Sequence, residues 1–190
     1  MENTPEKKDD STGASVKGKD TIFRVAAPNQ IGLIAIADNK SNMLIGICVV
    51  LISLIIALLG SGFTIQGTPI NTRPDLIIPM TILLFFMLSA AVCAIIAAKP
   101  KIIKGTTQSM HSLLFFQNIF TKTLDQYLAE MHELLEDKKA IYDQMIIDMY
   151  NNGVVLHRKY QMLRVAYFLF MYGLIISVLA FVITTAIVQF

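Results

Sequence analysis

Hydrophobic positions along the chain gather into three long runs separated by polar stretches. No charged residue occurs from Ser41 to Thr72, and Met43 to Leu59 is almost wholly apolar before Gly60-Ser61-Gly62 offers a helix exit. Leu76 to Ala98 is a second run of 23 uncharged residues, closed by Lys99-Pro100, with Pro79 near its start where a missing amide donor is best tolerated. Val165 to Phe190 is a third, 26 uncharged residues, about 39 Å if helical at about 1.5 Å per residue. The pattern predicts an all-α membrane protein with transmembrane helices at 43–63, 76–98 and 165–189. Residues 64–75 form a short periplasmic loop, and an α-helical cytoplasmic segment, 99–164, joins the second and third spans.

Between Lys99 and Arg164 the pattern turns amphipathic. Thr123 with Gln126 resembles a capping box, and Leu124, Tyr127, Leu128, Met131, Leu134 and Leu135 form one stripe, which predicts a helix over 124–136. The patch Leu113 to Phe116 with Ile119 and Phe120 is too short to span; it packs on that helix or lies in the headgroup region. Asp137 caps a further helix from Lys138, with Ile141, Met145, Met149 and Leu156 on one side and no proline before Phe190. Run unbroken into the third span, about 50 residues would make a rod near 75 Å long. Asn151-Asn152-Gly153 is its weak point, three poor helix formers in succession.

Charge sets the orientation. Lys40, Lys99, Lys101, Lys104, Arg158, Lys159 and Arg164 lie near span ends on one side, against only Arg73 in the link on the other. The imbalance places the N-terminus and residues 99–164 in the cytoplasm and the C-terminus outside. Residues 1–28 read as a disordered cytoplasmic tail, since the first 20 mix both charge signs with Gly, Ser, Thr and Pro and have no apolar period. The first long apolar run starts after position 40, too late for a signal peptide, so the first span is retained. A helix over 29–42 leads into it. Seven acids (Asp125, Glu130, Glu133, Glu136, Asp137, Asp143, Asp148) crowd the middle of the cytoplasmic segment, so an anionic ligand is expected at its basic, membrane-proximal ends.

Composition agrees: of 190 residues 54% are hydrophobic and 16% charged. A net charge of only +2 gives no ground for nucleic-acid binding. Cys48 and Cys93 sit inside apolar runs and support neither a disulfide framework nor a metal knuckle. His111, His132 and His157 are scattered, and His132-Glu133 does not continue into a metalloprotease array because position 136 is Glu136. No glycine-rich phosphate loop or Cys and His ligand set is present. The expectation is a non-enzymatic protein without metal or cofactor.

Two polar clusters remain. Ala37 to Asn42 leads into span one, with Asp38 and Asn42 one turn apart; His157 to Tyr167 leads into span three, with His157, Tyr160, Arg164 and Tyr167 on one stripe. In one reading Lys40, Arg158 and Lys159 reach lipid phosphates, Asp38 pairs with Arg164, and Tyr167 joins an interfacial belt. In the other, Lys40, Arg158, Lys159 and Arg164 hold a phosphate and Tyr160 or Tyr167 stacks a base. Small residues recur at four-residue spacing, Ala90, Ala94 and Ala98 on span two and Gly173 and Ser177 on span three. They mark close helix contacts within one chain or between copies, a homo-oligomer being expected since three helices rarely enclose a pathway.

At these two clusters the sequence resembles the transmembrane effectors of Pycsar antiphage systems. ADNKSNMLIG, Ala37 to Gly46, is similar to that family's A-D-x-K-A-x-x-L-L approach to its first span. RKYQMLRVAYFLF, Arg158 to Phe170, is similar to its R-K-Y-x-x-L-R-x-A-Y approach to the last. The FFQ run at Phe115 to Gln117 and the LDQYL to LLED region also resemble its intervening segment, so the likeness covers Gln30 to Phe190. Ser41 stands where the family usually has alanine, Asn39 falls in a variable slot, and the N-terminal tail is longer. The resemblance implies a non-enzymatic effector in the inner membrane: a partner pyrimidine cyclase makes cyclic CMP or cyclic UMP on infection, and the effector impairs the membrane and halts the cell. A constitutive membrane scaffold or small channel subunit is the alternative from another class.

Overall fold

The structure, a computed structural model, describes residues 9–62, 64–65, 67–99, 113–114, 119 and 122–189. Four long helices dominate these residues: α1 (Asp9–Gly60), α2 (Pro74–Ala98), α3 (Leu124–Glu136) and α4 (Lys138–Gln189). Three of them, α1, α2 and α4, are long and apolar enough to cross a membrane, as the charge-free runs predict. The link between α1 and α2 is a tight antiparallel hairpin, β1 (Thr64–Ile65) with β2 (Thr68–Pro69), then a 3-10 turn at Ile70–Thr72. Gly67, at the hairpin tip with φ 81°, adopts a conformation that glycine reaches without steric cost.

Two helix starts differ from expectation. The second span begins at Pro74, not residue 76, with proline in the first turn where its missing N–H costs nothing. The first helix begins at Asp9, far ahead of the expected start near Asn29, and passes through Pro28. Helix therefore replaces the expected disordered tail over residues 9–28, while residues 1–8 lie outside the described chain. What holds part of this stretch is tertiary: the Tyr142 hydroxyl donates to Asp20 Oδ1 at 2.7 Å, and the Phe23 and Tyr142 rings lie 5.8 Å apart.

The chain divides into two compact units. One comprises Ala35–Pro100 and His157–Phe190, the other Met1–Ile34 and Lys101–Leu156. In the first, Leu44, Cys48, Met87, Ala90, Ala91, Ala94 and Ala166 form the core. Buried positions on each helix recur at alternating steps of three and four: Ala37, Ser41, Leu44 and Cys48 on α1, Met87, Ala90, Ala94 and Ala97 on α2. This is the repeat of helices packed at a shallow angle. Small side chains at these positions let backbones approach where lipid removes the hydrophobic drive for association.

Proline makes one packing detail specific. Pro79 lies in the sixth position of α2, so the carbonyl of Asp75 loses its helical donor. The Thr184 hydroxyl of α4 donates to that carbonyl at 3.1 Å, and Ser177 donates to the Pro79 carbonyl at 2.9 Å. A free carbonyl that lipid cannot satisfy is thus bonded from the neighbouring helix.

In the second unit, α3 starts on the expected capping box: Gln126 N–H donates to Thr123 Oγ1, and Thr123 N–H to Gln126 Oε1. Its stripe is only partly used, with Leu134 buried and Leu124, Leu128 and Leu135 exposed. Asp137 alone separates α3 from α4 and caps the latter, its Oδ1 accepting from Lys139 N–H at 2.8 Å. Leu113 N–H donates to Gln144 Oε1 at 2.9 Å. The rest of the expected 113–120 patch, with the FFQ run, lies outside the described residues apart from exposed Leu114 and Ile119. Helix α4 continues through Asn151, Asn152 and Gly153 into the third span.

Candidate functional site

The span-bearing unit carries one charged node. Lys159 of α4 donates its ammonium to Asp38 of α1, and also reaches the Ala98 carbonyl at 3.4 Å. That carbonyl belongs to the last turn of α2, whose acceptors lack helical donors and carry the negative end of the helix dipole. A single cation therefore ties three helices. The Lys159 side chain is 7% exposed and Asp38 37%, so the cation is the deeper partner. Beside them Ser41 Oγ, fully buried, donates back to the Ala37 carbonyl at 3.0 Å. A serine where the related pattern has alanine thus stays small and satisfied.

The expected Asp38–Arg164 pair does not form: Asp38 meets Lys159, and Arg164 is exposed. The reason is helical phase. The inward stripe of α4 runs Lys159, Leu163, Ala166, Phe170, Gly173 and Ser177, all buried except the half-buried Phe170, whereas the expected stripe of His157, Tyr160, Arg164 and Tyr167 is exposed except for half-buried Tyr160. Lys40, Asn42 and Arg158 are also exposed, so Asn42 does not share the buried face of Asp38. Among the small residues, Ala90, Ala94, Gly173 and Ser177 are buried within this one chain, and Ala97 takes the place expected of the half-buried Ala98. Carrying the Gly173 and Ser177 spacing back by heptads reaches Ala166 and Lys159, a signal present in the sequence.

The other unit holds a cleft that sequence reasoning did not find. It is an open groove of roughly 600 Å³, lined by Lys19, Ile22 and Phe23 of α1 and Lys138, Lys139, Tyr142, Asp143 and Ile146 of α4. Tyr142 is its fixed point. Its hydroxyl is committed to Asp20, its ring lies against Phe23, and Lys19 Nζ stands 5.9 Å from its centroid. Ahead of the apolar run that starts at Val165, the Asp20 carboxylate holds the Tyr142 phenol above its usual pKa, because a bonded anion opposes deprotonation. Two turns on, burial raises the Asp148 carboxyl against the lowering effect of Asn152, whose amide donates at 3.2 Å. The only sequence signal for the cleft was the run Lys138-Lys139; its other wall lies more than a hundred residues away in sequence, beyond the reach of local pattern. Among the described residues no cluster of His, Cys, Asp and Glu is arranged to hold a metal ion.

The chain matches the Pycsar effector protein domain, PycTM, over residues 25–186. It belongs to that family. No curated protein and no solved structure matches it. The PycTM region contains the Asp38–Lys159 node and the α4 wall of the cleft, while Lys19, Ile22 and Phe23 precede it. As a PycTM member the chain is a multi-pass membrane protein consistent with an antiviral effector role.

Proposed function

We propose that this protein is a non-enzymatic antiphage effector of the inner membrane, which responds to cyclic CMP or cyclic UMP from a partner pyrimidine cyclase and impairs membrane integrity. One observation supports the reading: the Pycsar effector family match over residues 25–186 takes in all three apolar runs and the segment 99–164 between the second and third. In this reading the seven span-end cations hold the N-terminus and residues 99–164 in the cytoplasm, where the nucleotide is made, and the C-terminus outside. Homo-oligomers do the damage, since three helices in one chain enclose little. Ligand shifts the assembly between a quiet and a disruptive state by its differential affinity for the two.

The test is dye leakage from liposomes containing the purified protein. Cyclic CMP or cyclic UMP is expected to trigger release, with cyclic AMP and no nucleotide as controls. Equal leakage without nucleotide would favour a constitutive channel, and no leakage under any condition a scaffold.

A further inference from the structure

We propose that the cleft between Lys19–Phe23 and Lys138–Ile146 is a binding site for a nucleotide: a planar ring held on the aromatic and aliphatic wall, with its phosphate on the lysines. The proposal rests on the nucleotide-gated reading for the identity of the probe, but the chemistry of the walls stands by itself. Phe23, Tyr142, Ile22 and Ile146 offer flat, apolar surface, and a volume of roughly 600 Å³ lies within the usual range for small-molecule sites. Lys19, Lys138 and Lys139 bring three cations to the rim against one lining carboxylate, Asp143. The nearby Asp20 carboxylate is engaged by Tyr142, and Asp137 by the Lys139 N–H. Among the described residues none of the three ammonium groups makes an ion pair. Asp143 is placed to accept from a sugar hydroxyl or an exocyclic amine.

A second feature points the same way. The first turn of α4 holds two lysines and no acid of its own, with the Asp137 carboxylate capping it from the preceding position. A phosphate here would be met by the two lysine ammonium groups, the Lys139 N–H being already taken by Asp137. The Tyr142–Asp20 bond also fixes the ring on which the ligand would stack, so little side-chain freedom is lost on binding. Lys19, Ile22 and Phe23, three of the eight lining residues, lie ahead of the matched family region.

The experiment measures binding of cyclic CMP and cyclic UMP to the full chain in neutral detergent, with cytidine, inorganic phosphate and phosphatidylglycerol as further probes. Wild type should bind a cyclic nucleotide more tightly than cytidine or phosphate, without competition from the lipid. Lys138→Gln with Lys139→Gln should weaken binding by about tenfold or more, as expected for lost charge-assisted contacts. Ile146→Trp, which fills the cleft without removing a charge, should also weaken it, and Arg158→Ala should leave it unchanged. Binding that survives both cleft variants but is lost in Arg158→Ala overturns the site while leaving the gated reading intact. Competition by phosphatidylglycerol would make the cleft a lipid headgroup site and overturn the nucleotide assignment. A wild type that binds neither cyclic nucleotide overturns the site and the gated reading together.

Discussion

Lys159 and Asp38, 121 residues apart, form an ion pair in which the lysine side chain is almost wholly buried and the aspartate side chain is 37% exposed. The asymmetry decides which loss costs more. Asp38→Ala leaves a buried cation with a single carbonyl partner, whereas Lys159→Met leaves a carboxylate that water can reach. The first change is expected to destabilise the protein by about 3–5 kcal/mol and the second by much less. In the double variant the Asp38→Ala penalty should largely vanish. Thermal unfolding of all four proteins in one detergent checks this; equal penalties for the two single changes would contradict the pairing.

Gly173 and Gly153 lie on the same helix with opposite expectations. A Cβ at Gly173 would fall against Phe86 Cβ, nearer than real carbon pairs approach, and 2.9 Å from its Cγ. Phe86 Cβ is fixed to its backbone, so no rotamer change relieves the clash and α2 must move from α4. Gly173→Ala should therefore cost about 1–3 kcal/mol. At Gly153 the nearest atom is Gln30 Nε2 at 3.9 Å, ordinary contact. Gly153→Ala should stabilise the helix by up to about 1 kcal/mol. Unfolding midpoints that move in the same direction would refute the contrast.

The spans were legible in the sequence because a bilayer demands long charge-free runs, and no other chemistry produces them. The capping box at Thr123 and the cap at Asp137 were legible for a similar reason, since each is decided by residues within one turn. Lys159 was not, because beside Arg158 it looks like one of a solvated pair, and the aromatic stripe of Tyr160 and Tyr167 drew attention to the wrong phase of the helix. Its burial follows from the size of Ala166 and Gly173 further along, which lets neighbouring helices close in. The start of α1 and the cleft were hidden for a different reason: Asp20, Phe23 and Tyr142 are brought together only by tertiary structure, and residues 9–28 contain too few apolar positions to show a period.

Asp148 gives a pH dependence of definite sign. Its folded-state pKa is raised, so above the ordinary aspartate value of about 3.9 the folded protein holds this proton more tightly than the unfolded chain does. Its contribution to stability is therefore greatest at low pH and is lost as pH rises through the raised value. Asp148→Asn keeps an oxygen that can accept from Asn152 and removes the titration. The variant should be at least as stable as wild type at neutral pH, with a flatter stability profile between the ordinary value and neutrality. A wild-type curve that rises relative to the variant over that range would reverse the sign.

The bond between Thr184 and the Asp75 carbonyl exists because Pro79 cannot donate, so the two side chains should be coupled even though they do not touch one another in sequence or role. Thr184→Val keeps the shape of the side chain and deletes the donor, leaving that carbonyl unsatisfied in an apolar setting. A loss of about 1–2 kcal/mol is expected, the scale of interhelical hydrogen bonds in membranes. Pro79→Ala restores an N–H four residues after Asp75, which then closes the helical bond itself. In that background Thr184→Val should cost little. The Ser177 contact to the carbonyl of residue 79 is kept in every variant, because alanine retains the same acceptor. A double-mutant cycle by thermal unfolding measures the coupling directly. Additive losses would mean that Thr184 acts through its own bond to the Ala180 carbonyl, at 2.8 Å on α4, and not through the gap that proline opens in α2.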